Sequence, residues 1–227
     1  MSRLTWDDTG KRLYETGTKM GVLYPQSDDG TYPKGVAWNG LMSVNESPSG
    51  AEASPLYAND AKYLELYSNE DFGFTIGAYT YPEEFAACDG SAELISESGV
   101  YVGQQPRKVF GLTYRTVVGN DVKGSDYGYK LHLVYGAKAS PSEKGYSSIN
   151  DSPEAVEFSW ECTTTPINIE GFKPAAHIEI DSTKIKPEKL KKIEDALYGT
   201  NAVGDSGTGT EPKLLLPNEI VAILNEK

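Results

Sequence analysis

The segment Tyr127 to Tyr135 repeats with a period of two. Tyr127, Tyr129, Leu131, Leu133 and Tyr135 share one parity, and Gly128, Lys130 and His132 fall between them. That spacing puts the large side chains on one face of an extended strand and cannot make a helical stripe. Phe72, Phe74 and Ile76 repeat the pattern, with Gly73, Thr75 and Gly77 between them. Each such strand has one face to cover, so the chain must build sheets and pack something against them. Further strands are predicted at Met20 to Tyr24, Val36 to Val44, Lys62 to Tyr67, Val109 to Val118, Ala155 to Thr164 and Ala176 to Asp181. Turn residues at Ser68 to Asp71 predict a hairpin between 62–67 and 72–81. The run Gly119 to Asp126 predicts a second between 109–118 and 127–135.

Helical signals are few. Pro82 to Gly90 has a proline at a plausible first position and two acids behind it, which predicts a short helix. Pro187 opens a stronger one, with Leu190, Ile193 and Leu197 on one face and Gly199 placed to end it. Asn45 to Pro55 is a long polar loop of the kind that serves interaction. Asn201 to Pro212 reads as a linker before an apolar tail from Leu214, where Pro217 opens a short terminal helix. The expected fold is mainly β, a β-sandwich or curled barrel with one flanking α-helix and long inter-subunit loops. The expected organisation is a β domain with an N-terminal arm over 1–200, and a linker and docking tail over 201–227.

Charge and composition narrow the function. The formal net charge is −12, which disfavours binding to phosphate backbones and anionic membranes. Hydrophobic residues are 38%, low for a chain that ends as a compact monomer. Tyr nevertheless contributes 15 residues against 6 Phe, and tyrosine suits half-covered strands and surfaces that meet partners. Met1 to Leu13 lacks the apolar core of a signal peptide, and no run approaches the ~20 apolar residues of a membrane span. Cys88 and Cys162 stand alone in sequence, without a zinc-site spacing, and are expected as buried free thiols.

Catalytic signals are weak. His132 and His177 lie in strands outside any metal-ligand or base motif. The Gly-x-Gly of Asp205 to Glu211 lacks a preceding strand and a P-loop lysine. Acid pairs such as Glu83 and Glu84, or Glu154 and Glu157, would suit a glycosidase. With 33 Asp plus Glu in the chain, some pair is always available. No catalytic, cofactor or metal residue is expected, and the chain is not read as an enzyme.

Long ordered blocks carry a resemblance. Gly35 to Gly90 ("GVAWNGLMSVNESPSGAEASPLYAND" and "AKYLELYSNEDFGFTIGAYTYPEEFAACDG"), Gln104 to Pro166, and Lys173 to Thr183 ("KPAAHIEIDST") resemble the major tail proteins of long-tailed bacteriophages of Gram-positive hosts. The resemblance implies a β-sandwich or barrel subunit of the tail tube. It implies hexameric rings that stack into a hollow conduit through which DNA passes without specific binding. It implies as partners further copies of the chain, a tape-measure protein, a tail terminator and tail-tip proteins, with no membrane. The location implied is the virion tail, and the host cytoplasm before assembly. The chain ends at Lys227, so no C-terminal immunoglobulin-like domain and a smooth tube are expected.

In such a tube an acidic lumen would let DNA slide. Glu65, Glu157 and Glu161 are the lumen-facing candidates, because they interrupt otherwise apolar strands. The competing expectation is a carbohydrate-binding or adhesin-like β-sandwich of a phage particle, using Trp38, Trp160 and clustered tyrosines as a platform.

Overall fold

The computed structural model describes residues 3–149, 151, 154–201 and 208–226. Its strands in the first half are β1 (Leu13–Pro25), β2 (Val36–Ala37), β3 (Leu41–Glu46), β4 (Ser49–Gly50), β5 (Ala53–Ala58), β6 (Ala61–Tyr67), β7 (Glu70–Asp71) and β8 (Gly73–Ala78). Then follow β9 (Ala92–Glu93), β10 (Tyr101–Val102), β11 (Phe110–Asn120), β12 (Gly124–Ala139), β13 (Phe158–Thr164) and β14 (His177–Asp181). Helices α1 (Pro187–Tyr198) and α2 (Pro217–Asn225) close the chain.

One antiparallel 8-stranded sheet dominates, in the order β2-β1-β11-β12-β13-β8-β3, with β14 also paired to β12. Its two end strands, β2 and β3, are joined only by Trp38, Asn39 and Gly40. A sheet whose first and last strands are neighbours along the chain has to roll up, which gives the curled barrel. Gly40 makes the joining turn with φ 74, a left-handed conformation that glycine adopts without penalty. The single strand predicted over Val36 to Val44 is therefore two strands broken at this corner.

Rolling requires β12 to serve both layers. Its residues Lys130 to Val134 pair with β14, and Ala137 to Ala139 pair with β13. Between the two stretches the register against β11 slips, from Leu112↔Val134 to Phe110↔Ala137. The slip is a bulge at Gly136, whose φ is 61 and where an added Cβ would lie 2.4 Å from the Thr165 carbonyl oxygen. One extra residue reverses the inward parity. Val134 points into the barrel, as do Ala137 and Ala139, while Leu131, Leu133 and Tyr135 point out.

Two apolar layers result. Inside the roll, Phe85 packs against Trp38 at 4.7 Å, Trp160 at 5.0 Å and Phe110 at 5.5 Å between ring centroids. Outside, α1 and α2 cover Tyr24, Leu131, Leu133 and Tyr135 with Leu190, Ile193, Leu197 and Ile220. The tyrosine tips end on this cover. Tyr24 donates to the Leu197 carbonyl at 2.7 Å, Tyr135 to the Leu215 carbonyl at 2.8 Å, and Tyr129 to Glu194 at 2.7 Å. An apolar ring with a polar end satisfies both halves of a sheet–helix boundary. The apolar tail thus docks on its own sheet, and two helices flank the sheet rather than one.

The short helix expected at Pro82 to Gly90 is a single 3-10 turn, Glu83–Phe85, which delivers Phe85 into the barrel. Behind it, Asp89 is 8% exposed and accepts from Trp160 Nε1 at 3.1 Å, Arg107 at 3.4 Å and Lys144 at 2.5 Å. Cys88 and Cys162 are free and buried, and burial pushes both thiols up to about 12, which leaves them inert. Part of the linker, 202–207, lies outside the described residues.

Candidate functional site

From Leu41 to Ala78 the chain is one long two-stranded ribbon. β3 pairs with β8, β4 with β7, and β5 with β6. The register holds without a slip from Ser43↔Gly77 through Ser49↔Asp71 to Leu56↔Leu64. The ribbon turns at Asn59 and Asp60, with φ 52 and 63. Positive φ at both central residues is the two-residue hairpin turn that suits the twist of paired strands. The hairpin predicted at Ser68 to Asp71 is therefore not there. Those residues belong to a strand side, and Asn45 to Pro55 is the opposite side rather than a loop.

Beyond Glu46 the ribbon leaves the barrel and stands as an arm. Ser47 to Ala58 at a strand rise of about 3.3 Å per residue gives a reach of roughly 40 Å. Leu56 and Leu64 oppose each other, and Leu66 follows on the same face. Glu65 and Tyr67 take the other face, where the tyrosine hydroxyl donates to Glu65 at 2.9 Å. Leu56, Tyr57, Tyr63, Leu64, Leu66 and Tyr67 are between 39% and 72% exposed. No other element among the described residues covers them. A lone hairpin is marginal in water, and a contiguous apolar surface on one marks a contact. A second excursion, β9–β10, exposes Leu94, Ile95 and Val100.

At the arm's root sits a polar cluster that sequence reading missed. His132 on β12 and His177 on β14 bring Nδ1 and Nε2 to 3.2 Å. Glu46, the last residue of β3, places Oε1 3.5 Å from His132 Nδ1 and 3.9 Å from His177 Nε2. Tyr114 donates to the same oxygen at 2.5 Å and stacks on His132 at 4.6 Å. Phe72 stacks on His177 at 4.8 Å from the arm side. Burial, and then the neighbouring imidazole, lowers His132 below its usual value; burial lowers His177. Burial and then Glu46 raise Tyr114, so its proton stays on the phenol. Burial opposes ionisation of Glu15, but bonds from Thr116 and Lys130 hold its carboxyl below the usual range.

Of the candidate lumen residues, Glu157 and Glu161 share one stretch of chain and Glu65 stands apart from them. Glu65 rides the arm. Glu161 lies on β13 with Ser159 and Thr163, exposed, and Glu157 just precedes that strand. Glu154 and Glu157 border an open hollow beside Tyr79, and Glu83, Glu84 and Tyr101 border another. Trp38 and Trp160 are buried at 4% and 0% exposure, so neither can form a glycan platform.

No family model matches the chain, and no curated protein matches it. The resemblance carried by the blocks between Gly35 and Thr183 thus has no sequence-family match beside it. Among solved structures, the chain is similar to one from a six-fold symmetrised cryo-EM structure of the anti-feeding prophage (AFP) baseplate. The identity is 6% and the TM-score 0.36, covering 78% of this chain and 97% of that one. At that score the likeness carries no argument about function.

Proposed function

We propose that this chain is a structural subunit of a phage tail tube, built to assemble with copies of itself into stacked hexameric rings. The observation that carries the reading is the arm. It reaches roughly 40 Å from the barrel and presents leucines that no other element among the described residues covers. Its occupant in this proposal is the barrel of a neighbouring copy. The free ribbon edges add a second means of docking, since unpaired strand edges template pairing with another chain. The resemblance of the sequence blocks to major tail proteins supports the same assembly, with tape-measure, terminator and tail-tip proteins as further partners.

The candidate for the lumen is the polar sheet face of β13 and β8. The α1–α2 layer covers the outside of β12 at Leu131 to Tyr135 and of β1 at Val22 and Tyr24. The outward side of β13 and β8 carries Ser159, Glu161, Thr163 and Thr75 without such a cover. We assign that face, with Glu157 and Glu161, to the lumen, where negative charge keeps DNA from adhering. Glu65 lies opposite the leucines on the arm and stays on its solvated side. In this reading the chain does no chemistry and its place is the virion tail.

Negative-stain microscopy of the concentrated purified protein tests the proposal. Hollow tubes or six-fold rings are expected. Dispersed monomers that bind glycans would replace it with the carbohydrate-binding reading.

A further inference from the structure

The histidine cluster is more than a packed polar core. Thr116 Oγ1 lies 2.6 Å from Glu15 Oε1 and 3.0 Å from His132 Nε2. An ionised carboxylate only accepts, so the threonine hydroxyl donates to Glu15 and accepts from His132 Nε2–H. That fixes the tautomer of a neutral His132 and leaves its Nδ1 bare, aimed at His177 and Glu46. A chain that holds one ring nitrogen protonated so that the other offers its lone pair is the support that metal-binding histidines use.

The donor spacing agrees. Metal–nitrogen bonds of about 2.0–2.1 Å in a tetrahedron set ligand–ligand edges near 3.3 Å. The edges here are 3.2, 3.5 and 3.9 Å. Only the His177–Glu46 edge has to shorten, by about half an ångström. Two imidazoles and one carboxylate suit a borderline divalent ion rather than calcium or magnesium. The neighbouring set of Glu15, His132 and Glu179 is a poorer site. Its histidine nitrogen is committed to Thr116, and Lys130 already bridges the two acids at 2.9 and 3.1 Å, where an ion would have to displace it.

We propose that Glu46, His132 and His177 form a site for a divalent transition-metal ion of the zinc type, with the fourth position open. Binding changes the tautomer of His177: Nε2–H, which otherwise donates to His132 Nδ1, gives up its proton while Nδ1 takes one up from solvent, so the ring stays neutral, offers Nε2 to the ion and releases no net proton. The ion then joins β12 and β14 to the last residue of β3, so it clamps the arm at its root. Phe72, stacked on His177 where the returning side of the arm re-enters the sheet, places both sides of the root beside the ion.

The experiment titrates chelator-stripped full-length protein with Co2+ and then Zn2+. Expected are one saturable site and visible Co2+ bands of tetrahedral intensity that Zn2+ abolishes. His177→Gln and Glu46→Gln, both at the accessible side of the cluster, each weaken binding at least 100-fold. Thr116→Val weakens it 10- to 100-fold, as loss of an outer partner does. Glu161→Gln, on the far face, leaves it unchanged. Circular dichroism confirms that each variant is folded, and two separate ligand variants guard against one of them failing to fold. No saturable Co2+ or Zn2+ binding, or binding that survives both ligand variants, overturns the site.

Discussion

Replacing residues 51–69 with a tight Asn-Gly turn gives a folded subunit that no longer assembles. The excised segment contributes to neither apolar layer. Ser49↔Asp71 and Gly50↔Glu70 remain to close the shortened ribbon. Stability should therefore move by about 0.5 kcal/mol or less, as for surface changes away from the core. Assembly behaves differently. Covering a leucine side chain contributes about 1.5–3 kcal/mol. Leu56, Leu64 and Leu66 are 44%, 39% and 56% exposed, so covering what remains is worth roughly 2–4 kcal/mol, or about thirtyfold to a thousandfold in association at about 1.4 kcal/mol per tenfold. The triple change of those leucines to Ala tests the same point without shortening the chain. Sedimentation velocity checks both variants: the parent should give large particles and the variants only monomer.

Asp89→Ala should cost about 3–5 kcal/mol, the range for breaking a buried ion pair. Native domains have only ~5–15 kcal/mol to lose. The carboxylate serves Trp160, Arg107 and Lys144 at once. Arg107 also donates to the carbonyls of Ala139 at 3.3 Å and Ser140 at 3.4 Å, so it keeps partners. The buried Trp160 indole loses its acceptor and bears the full desolvation penalty, while Lys144, 27% exposed, turns partly to water. The loss should therefore fall at the lower end of the range. Asp89→Asn keeps an acceptor for Trp160 and should cost less than the alanine change. Urea midpoints of the two variants decide the point, and equal midpoints for parent and Asp89→Ala would contradict it.

Where burial imposed a period, the sequence could be read. The pair β11–β12 and the face of α1 carried by Leu190, Ile193 and Leu197 follow directly from spacing. So does Pro217 as the start of α2. The arm was misread because both its faces meet water, so polar residues such as Ser68, Asn69 and Glu70 sit inside a strand side and look like a turn. The true turn at Asn59 and Asp60 has the chemistry of a tight hairpin, but lacks the alternating apolar flanks that would have marked it. The bulge at Gly136 was invisible for another reason: one residue reverses parity only in the presence of a partner strand. The histidine cluster depended on register. Glu46, His132 and His177 share no local motif and meet only because β14 pairs with β12 beside the arm's root.

In the proposed assembly the arm is exposed in the free subunit and covered by a neighbouring copy in the tube. Amide hydrogen exchange on dilute and assembled protein measures this directly. The barrel amides of β11 and β12 should be protected alike in both states. Those of 47–70 should exchange rapidly when dilute and become protected on assembly. Equal exchange of the arm in both states, in particles that have demonstrably formed, would contradict the claim and move the contact elsewhere.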